Sequence, residues 1–313
     1  MNRRELVKAA IAHRETSRVP YVIDCTAEGA AVLKEAAGEM EIEEFVDNDV
    51  QSFTVPWWNW YDLGPDWRLP DPPTSPAKVI GTGSYPELLD RIKAAKDRCD
   101  KYFLVRIYGS HFEKAYFARG IENLLADMAG AKEFAIWLHR RIIEKNLVML
   151  ENFLALPEID GVLLGSDWGS QIGLLMSPAA WEEIIRPGEQ QEYDLVHSYG
   201  KDVWVHSCGC IEAIIPALIE MGLDVLNPVQ PEAMDIAKLK QLYGDKLTFW
   251  GGISTQRTLP YGTPDEVRAE ARQVRDMMAR GGGYIFAPAQ SIQGDVPLEN
   301  MLALLEVARE ERW

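Results

Sequence analysis

Val203-Trp-Val-His-Ser-Cys-Gly-Cys210, followed by Ile211-Glu-Ala-Ile-Ile-Pro-Ala-Leu-Ile-Glu220, holds a strand, a turn and a helix in one short span. Val203, Val205 and Ser207 alternate with Trp204, His206 and Cys208, the period-two pattern of a strand. Gly209 breaks that pattern, and the apolar spacing after it is helical. His206 and Cys208 therefore leave the end of the strand on one face. An imidazole and a thiol so placed can share a metal, typically zinc. The same pair also reads as a buried thiol beside a hydrogen-bonded histidine, because only two of the usual three or four ligands are visible in this stretch.

The strand–helix unit repeats along the chain. Working outward, strand patterns occur at Tyr21–Cys25, Val50–Val55, Tyr102–Tyr108, Ile159–Leu164, Leu223–Leu226, Leu247–Trp250 and Tyr284–Phe286, making eight with the opening one. Helical spacing covers Arg3–His13, Ala27–Ala37, Pro86–Ala95, Ile121–Met128, Ala131–Leu154, Ile236–Leu242, Thr263–Arg280 and Pro297–Arg309. Ser177-Pro178 reads as a cap with proline at the first helical position, opening one helix towards Pro187 and a second towards His197. Eight such units predict an α/β fold, a (β/α)8 TIM barrel. The chain reads as a single domain over residues 1–313, with an N-terminal helix and an extended proline- and glycine-rich loop near 64–87. An open doubly wound sheet would carry a glycine-rich phosphate turn after an early strand, and none follows Asp24.

Composition narrows the partners. The net charge of −16 argues against a nucleic-acid ligand, which needs a basic footprint, and against an anionic membrane surface. Four cysteines in 313 residues are too few for a disulfide framework, which makes a reducing cytoplasm the expected compartment. The N-terminal stretch is amphipathic without the apolar core of a signal peptide, and no apolar run reaches a membrane span.

In a barrel of this kind the active site lies at the C-terminal ends of the strands. The residues collected there are Asp24, Cys25, Trp57, Tyr108, His111, Asp167, His206, Cys208, Asn227, Gln230 and Gln290. They are more polar than the strands that carry them, which points to an enzyme. Asp167, Tyr108 and Gln290 are the candidate catalytic groups. His111, Asn227 and Gln230 are candidate substrate contacts, together with Trp57, Trp58, Trp60 and Tyr61, whose rings would form a flat apolar surface. Each has a plainer role open to it: Asp167 as a loop cap, His111 and Tyr108 as surface loop residues, and the tryptophans as packing.

A series of motifs then follows in order: His206-Ser-Cys208-Gly, Asn227-Pro-Val-Gln230, Phe249-Trp-Gly-Gly252-Ile, Thr263-Pro-Asp-Glu-Val, Gly282-Gly-Tyr-Ile-Phe-Ala-Pro288 and Val296-Pro-Leu-Glu-Asn300. With Asp167-Trp-Gly-Ser-Gln171 and Ser177-Pro-x-x-Trp181, the set resembles the uroporphyrinogen decarboxylase superfamily over roughly residues 100–310. The resemblance implies a (β/α)8 barrel and two activities, porphyrinogen decarboxylation and cobalamin-linked methyl transfer. The decarboxylases carry an arginine-rich motif after the first strand and a histidine after the last. Tyr21–Gly29 has no arginine and Gln290 stands near the histidine position, so decarboxylation of a porphyrinogen is not expected. In the coenzyme M methyltransferases, His-x-Cys holds zinc with a later cysteine. Here that cysteine would fall near Gln290, leaving Asp167, Asp24, Cys25 or Cys210 to complete the set.

The resemblance thus implies a corrinoid-dependent methyltransferase with zinc at His206 and Cys208. It would move a methyl group between a small substrate and a corrinoid on a separate protein, and dimers are common among such relatives; the Trp57–Tyr61 cluster favours a methoxy-aromatic substrate over a thiol. A metal-free lyase acting on a small carboxylic acid, and a non-catalytic barrel binding a corrinoid or aromatic ligand, are the competing expectations.

Overall fold

The structure is a computed structural model and describes residues 1–56, 84–107 and 109–311. Trp57, Trp58, Trp60, Tyr61 and Tyr108, and the extended loop as far as residue 83, lie outside the described residues. The chain divides into two compact units. A mid-chain unit comprises Ser52–Cys99 and Phe103–Leu223, and a terminal unit comprises Met1–Gln51, Asp100–Tyr102 and Asp224–Trp313.

The described residues contain seven strands: β1 (Val50–Thr54), β2 (Tyr102–Ile107), β3 (Gly161–Gly165), β4 (Asp202–His206), β5 (Val225–Asn227), β6 (Thr248–Ile253) and β7 (Tyr284–Pro288). In the mid-chain unit β2 pairs with β3 and β3 with β4, both parallel, with Gly165 opposite His206. In the terminal unit β5 pairs with β6 and β6 with β7, again parallel. Helices intervene in chain order, which gives an α/β fold of TIM-barrel-like alternation. The strands read as near-continuous apolar runs because both of their faces are buried, as in Tyr102–Val105 and Val203–Val205.

The strand expected near residue 20 is present only as two isolated parallel bridges, Tyr21 to Phe286 and Cys25 to Ile292. The backbone does run beside β7, with Val22 N–H donating to Phe286 O at 2.9 Å and Phe286 N–H to Pro20 O at 2.8 Å. On the other side, side chains take the place of a second ladder. Asp49 Oδ2 accepts Tyr21 N–H at 2.9 Å, and Asn48 Oδ1 accepts Ile23 N–H at 2.7 Å.

Three helical expectations change in instructive ways. Pro178–Ala180 runs without interruption through a π turn, Trp181–Ile185, into Arg186–Ser198, where two helices were expected. Pro187 has no N–H, and its ring would press on the carbonyl four residues back. Widening the helix by one turn, with Arg186 N–H reaching Trp181 O, carries the chain past it. A helix at His111–Arg119 was not expected at all. It buries His111, Phe112, Glu113, Lys114, Ala115 and Ala118, so charged residues fall inside and the apolar stripe is lost. The short helix Ile42–Val46 is likewise additional. Among the described residues, no helix is long and apolar enough to cross a membrane.

Candidate metal centre

Two strand ends in the mid-chain unit build the site. β3 stops at Gly165 and continues through Ser166 to Asp167; β4 stops at His206 and continues through Ser207 to Cys208. Because Gly165 and His206 are paired, the next residues advance together. Ser166 N–H donates to His206 O at 2.9 Å, Trp168 N–H to Ser207 Oγ at 3.1 Å, and Cys210 N–H to Ser170 O at 2.7 Å. The two turns touch backbone to backbone. A Cβ on Gly169 would lie 2.5 Å from Cys208 O, and one on Gly209, which has φ +78°, would lie 2.5 Å from Ser170 O. Glycine is the residue that permits both the approach and the left-handed turn.

This zipper brings three donor atoms together. Cys208 Sγ is 3.3 Å from His206 Nε2, and His206 Nε2 is 3.7 Å from Asp167 Oδ1. All three lie within 4.8 Å of one another. The Cys208 N–H donates to Asp167 Oδ1 at 2.8 Å and fixes the carboxylate over the pair. Zinc bonds of about 2.0–2.3 Å place neighbouring donors of a tetrahedron about 3.3–3.6 Å apart, so this nitrogen, sulfur and oxygen set fits a zinc ion. Three protein ligands would leave a fourth position open, the pattern of a catalytic zinc site. Of the two candidate completing ligands in this unit, Asp167 joins the pair and Cys210 does not.

Against Gly165, at the end of β3, stands a carboxyl that the sequence reading missed. Glu113 is buried at 6% exposure, and its Oε1 accepts the Tyr116 hydroxyl at 2.9 Å. Its Oε2 lies 3.3 Å from where a Cβ on Gly165 would be, on the face of β3 that adjoins His206 on β4. Burial, and then the charge of Asp167, push Glu113 up to about 7, with Tyr116 and Lys114 opposing.

His111, expected to touch substrate, is wholly buried in the same unit. Its Nδ1 lies 3.1 Å from Glu189 Oε1 and 3.3 Å from Glu192 Oε2, and its Nε2 is 3.1 Å from Ile185 O. Burial alone would lower this imidazole, but the two carboxylates outweigh it and push it up to about 10. Glu192 also accepts from Ser110 Oγ at 3.0 Å and Asn146 Nδ2 at 2.8 Å, while Lys114 Nζ donates to Asn146 Oδ1 at 3.1 Å. Glu113, Lys114, Glu189 and Glu192 sit in helices, where single charged residues usually mark the solvated face.

In the terminal unit, Asn227 ends β5 and its Nδ2 donates to Trp250 O at 3.0 Å. Gln230 is buried at the following turn, and Gln290 is exposed after β7. Asp24 accepts from Asn48 Nδ2 at 3.3 Å, and burial pushes the Cys25 thiol up to about 11.

Comparisons with known proteins place the chain in a family. Residues 68–311 match the uroporphyrinogen decarboxylase (URO-D) family. The chain is 26% identical to a methylcobamide:CoM methyltransferase, MtaA, of Methanosarcina barkeri, over 98% of this chain and 84% of that protein. It is 22% identical to a methylated-thiol–coenzyme M methyltransferase of Methanosarcina mazei, over 79% of this chain and 64% of that protein. A solved methyltransferase from Methanosarcina mazei shares the fold, with a TM-score of 0.73 at 17% identity over 98% of each chain. With most of its length matched and its relatives enzymes, the chain belongs to the uroporphyrinogen decarboxylase family, on the branch of the methyltransferases.

Proposed function

We propose that this protein is a zinc-activated, corrinoid-dependent methyltransferase acting on a small substrate, with the corrinoid carried by a separate protein. The convergence of Asp167, His206 and Cys208 on one point carries the reading. A zinc ion there would act as a Lewis acid on the substrate heteroatom, stabilising a departing oxyanion or favouring a thiolate. The protein's own part is positional. The paired β3 and β4 ends set the donors before any ligand arrives, and Asp167, 38% exposed at its side chain, leaves the centre open on one side. The tryptophans at 57, 58 and 60 support a methoxy-aromatic substrate by their composition, and the named relatives act on coenzyme M, a thiol. We also read the chain as one closed (β/α)8 barrel domain. The support is its strand–helix alternation and the pairing of its first strand segment, at Tyr21, with its last strand, β7.

Metal analysis of the purified protein tests the centre: about one zinc per chain is expected, and less in His206→Ala and Cys208→Ala. Two assays test the chemistry. One follows demethylation of 2-methoxyphenol with cob(I)alamin, and the other transfer from methylcobalamin to 2-mercaptoethanesulfonate. At least one is expected to proceed in wild type and to fall 100-fold or more, on the order of a lost Lewis acid, in Cys208→Ala. A metal-free protein fully active as a carboxylic-acid lyase after chelation would overturn the reading.

A further inference from the structure

We propose that Glu113 is a catalytic acid–base residue of this centre, exchanging a proton with the substrate heteroatom held beside Asp167, His206 and Cys208. The inference rests on the methyltransferase reading and deepens it, because methyl transfer to or from a heteroatom leaves a proton to be moved. Asp167, His206 and Cys208 are assigned to the metal, so none of the three is free to carry that proton.

The geometry selects Glu113 among the described residues of this unit. Gly165 and His206 are partners in a parallel ladder, so their side-chain directions share one face of the sheet. Gly165 has no side chain, and the space a Cβ would enter is bounded by Glu113 Oε2 at 3.3 Å. The carboxyl thus stands one strand away from the imidazole, on the imidazole's own face. Tyr116 donates to Oε1 at 2.9 Å, which holds the carboxyl plane and leaves Oε2 as the oxygen over Gly165. The groups whose charges act on it are Asp167 and Lys114. Burial favours the protonated form of this carboxyl, while Lys114 and Tyr116 favour the carboxylate.

The step balances in either direction. In ether cleavage the bond between oxygen and the methyl carbon breaks, and the methyl group passes to the reduced corrinoid of the partner protein. The bonding pair stays on oxygen, which takes the proton from Glu113 Oε2, and Glu113 is left as a carboxylate. With a thiol, the S–H proton passes to the Glu113 carboxylate as sulfur takes the methyl group from the methylated corrinoid, whose cobalt–carbon bond breaks with the pair left on cobalt as the reduced corrinoid.

The test compares zinc-loaded wild type, Glu113→Gln and Glu113→Asp, with 2-methoxyphenol and 2-mercaptoethanesulfonate as probes. Zinc content is expected to be equal in all three. Probe binding in wild type is expected to perturb an infrared carbonyl band of a protonated carboxylic acid, and Glu113→Gln lacks that band change. With free cobalamin as methyl carrier, Glu113→Gln is expected to lower kcat about 10²–10⁴-fold with little change in KM and to flatten the dependence of kcat on pH; Glu113→Asp recovers part of the rate. Wild-type kcat, pH profile and infrared response in Glu113→Gln at full zinc content would overturn the inference and leave the methyltransferase reading standing. Loss of zinc from Glu113→Gln would overturn it too, marking Glu113 as structural. Failure of wild type itself to bind zinc or transfer methyl groups would sink the underlying reading, and the inference with it.

Discussion

His111 shows what a single side chain can organise when it is enclosed. Its ring is flanked by Glu189 and Glu192, and by His139 at 5.7 Å between ring centroids. Burial and the neighbouring His111 keep His139 down at about 3, so it stays neutral while His111 carries the charge. Replacing His111 by Gln leaves two interior carboxylates without their cation, and a loss of about 3–5 kcal/mol is expected. The sign with pH follows from the folded protein holding this proton more tightly than the unfolded chain, whose ordinary value is 6.5. The stability gap between wild type and His111→Gln is therefore full below about 6.5 and shrinks as pH rises towards about 10. Denaturant titrations of both proteins across that range check it; a gap that widens with pH would show that the imidazole is not the charged partner. Comparing the two proteins is necessary because burial pushes Lys114 down to about 7, which acts on wild-type stability with the opposite sign.

At the scale of elements, the centre depends on two turns that fit together without side chains between them. An Ala at Gly209 would need φ +78° and would meet Ser170 O at 2.5 Å. Gly209→Ala is expected to destabilise by more than about 1 kcal/mol and, by displacing Cys208, to weaken zinc binding. Thermal unfolding and metal titration of the same preparation measure both; a stable variant with full zinc affinity would show that the turns adjust independently. His206 and Cys208 were legible in the sequence because a strand's alternation places them on one face. Asp167 was legible as one of four candidates to complete that pair but was not singled out, because the register between β3 and β4 is not written in either strand alone. Glu113 was not legible, since the helix that carries it is buried nearly all round and has no apolar stripe. The first strand was overcalled for a related reason: Tyr21–Cys25 has strand composition, but Asn48 and Asp49 occupy its backbone groups.

For the whole molecule, stability is carried by enclosed apolar side chains in both units, among them Phe103, Leu164, Trp204, Phe249 and Ile285. The proposed metal donors sit at strand ends, with His206 29% exposed at its side chain. Stripping the metal with a chelator should therefore abolish methyl transfer and leave a folded protein with unchanged far-ultraviolet circular dichroism, unlike a zinc finger, whose metal supplies its folding energy. Unfolding on chelation would mean that the ion holds the fold. The alternation of strands and helices was legible across the chain because most strands are short, apolar and followed by Gly, Pro, Asn or Asp, and the count of eight came within one interrupted strand of the seven observed among the described residues. The contact of Gly169 with the Cys208 carbonyl also limits how descendants of this sequence can diverge. A residue inserted into either turn would slide one against the other, so the two segments can change length only in concert, although some forty positions lie between them along the chain.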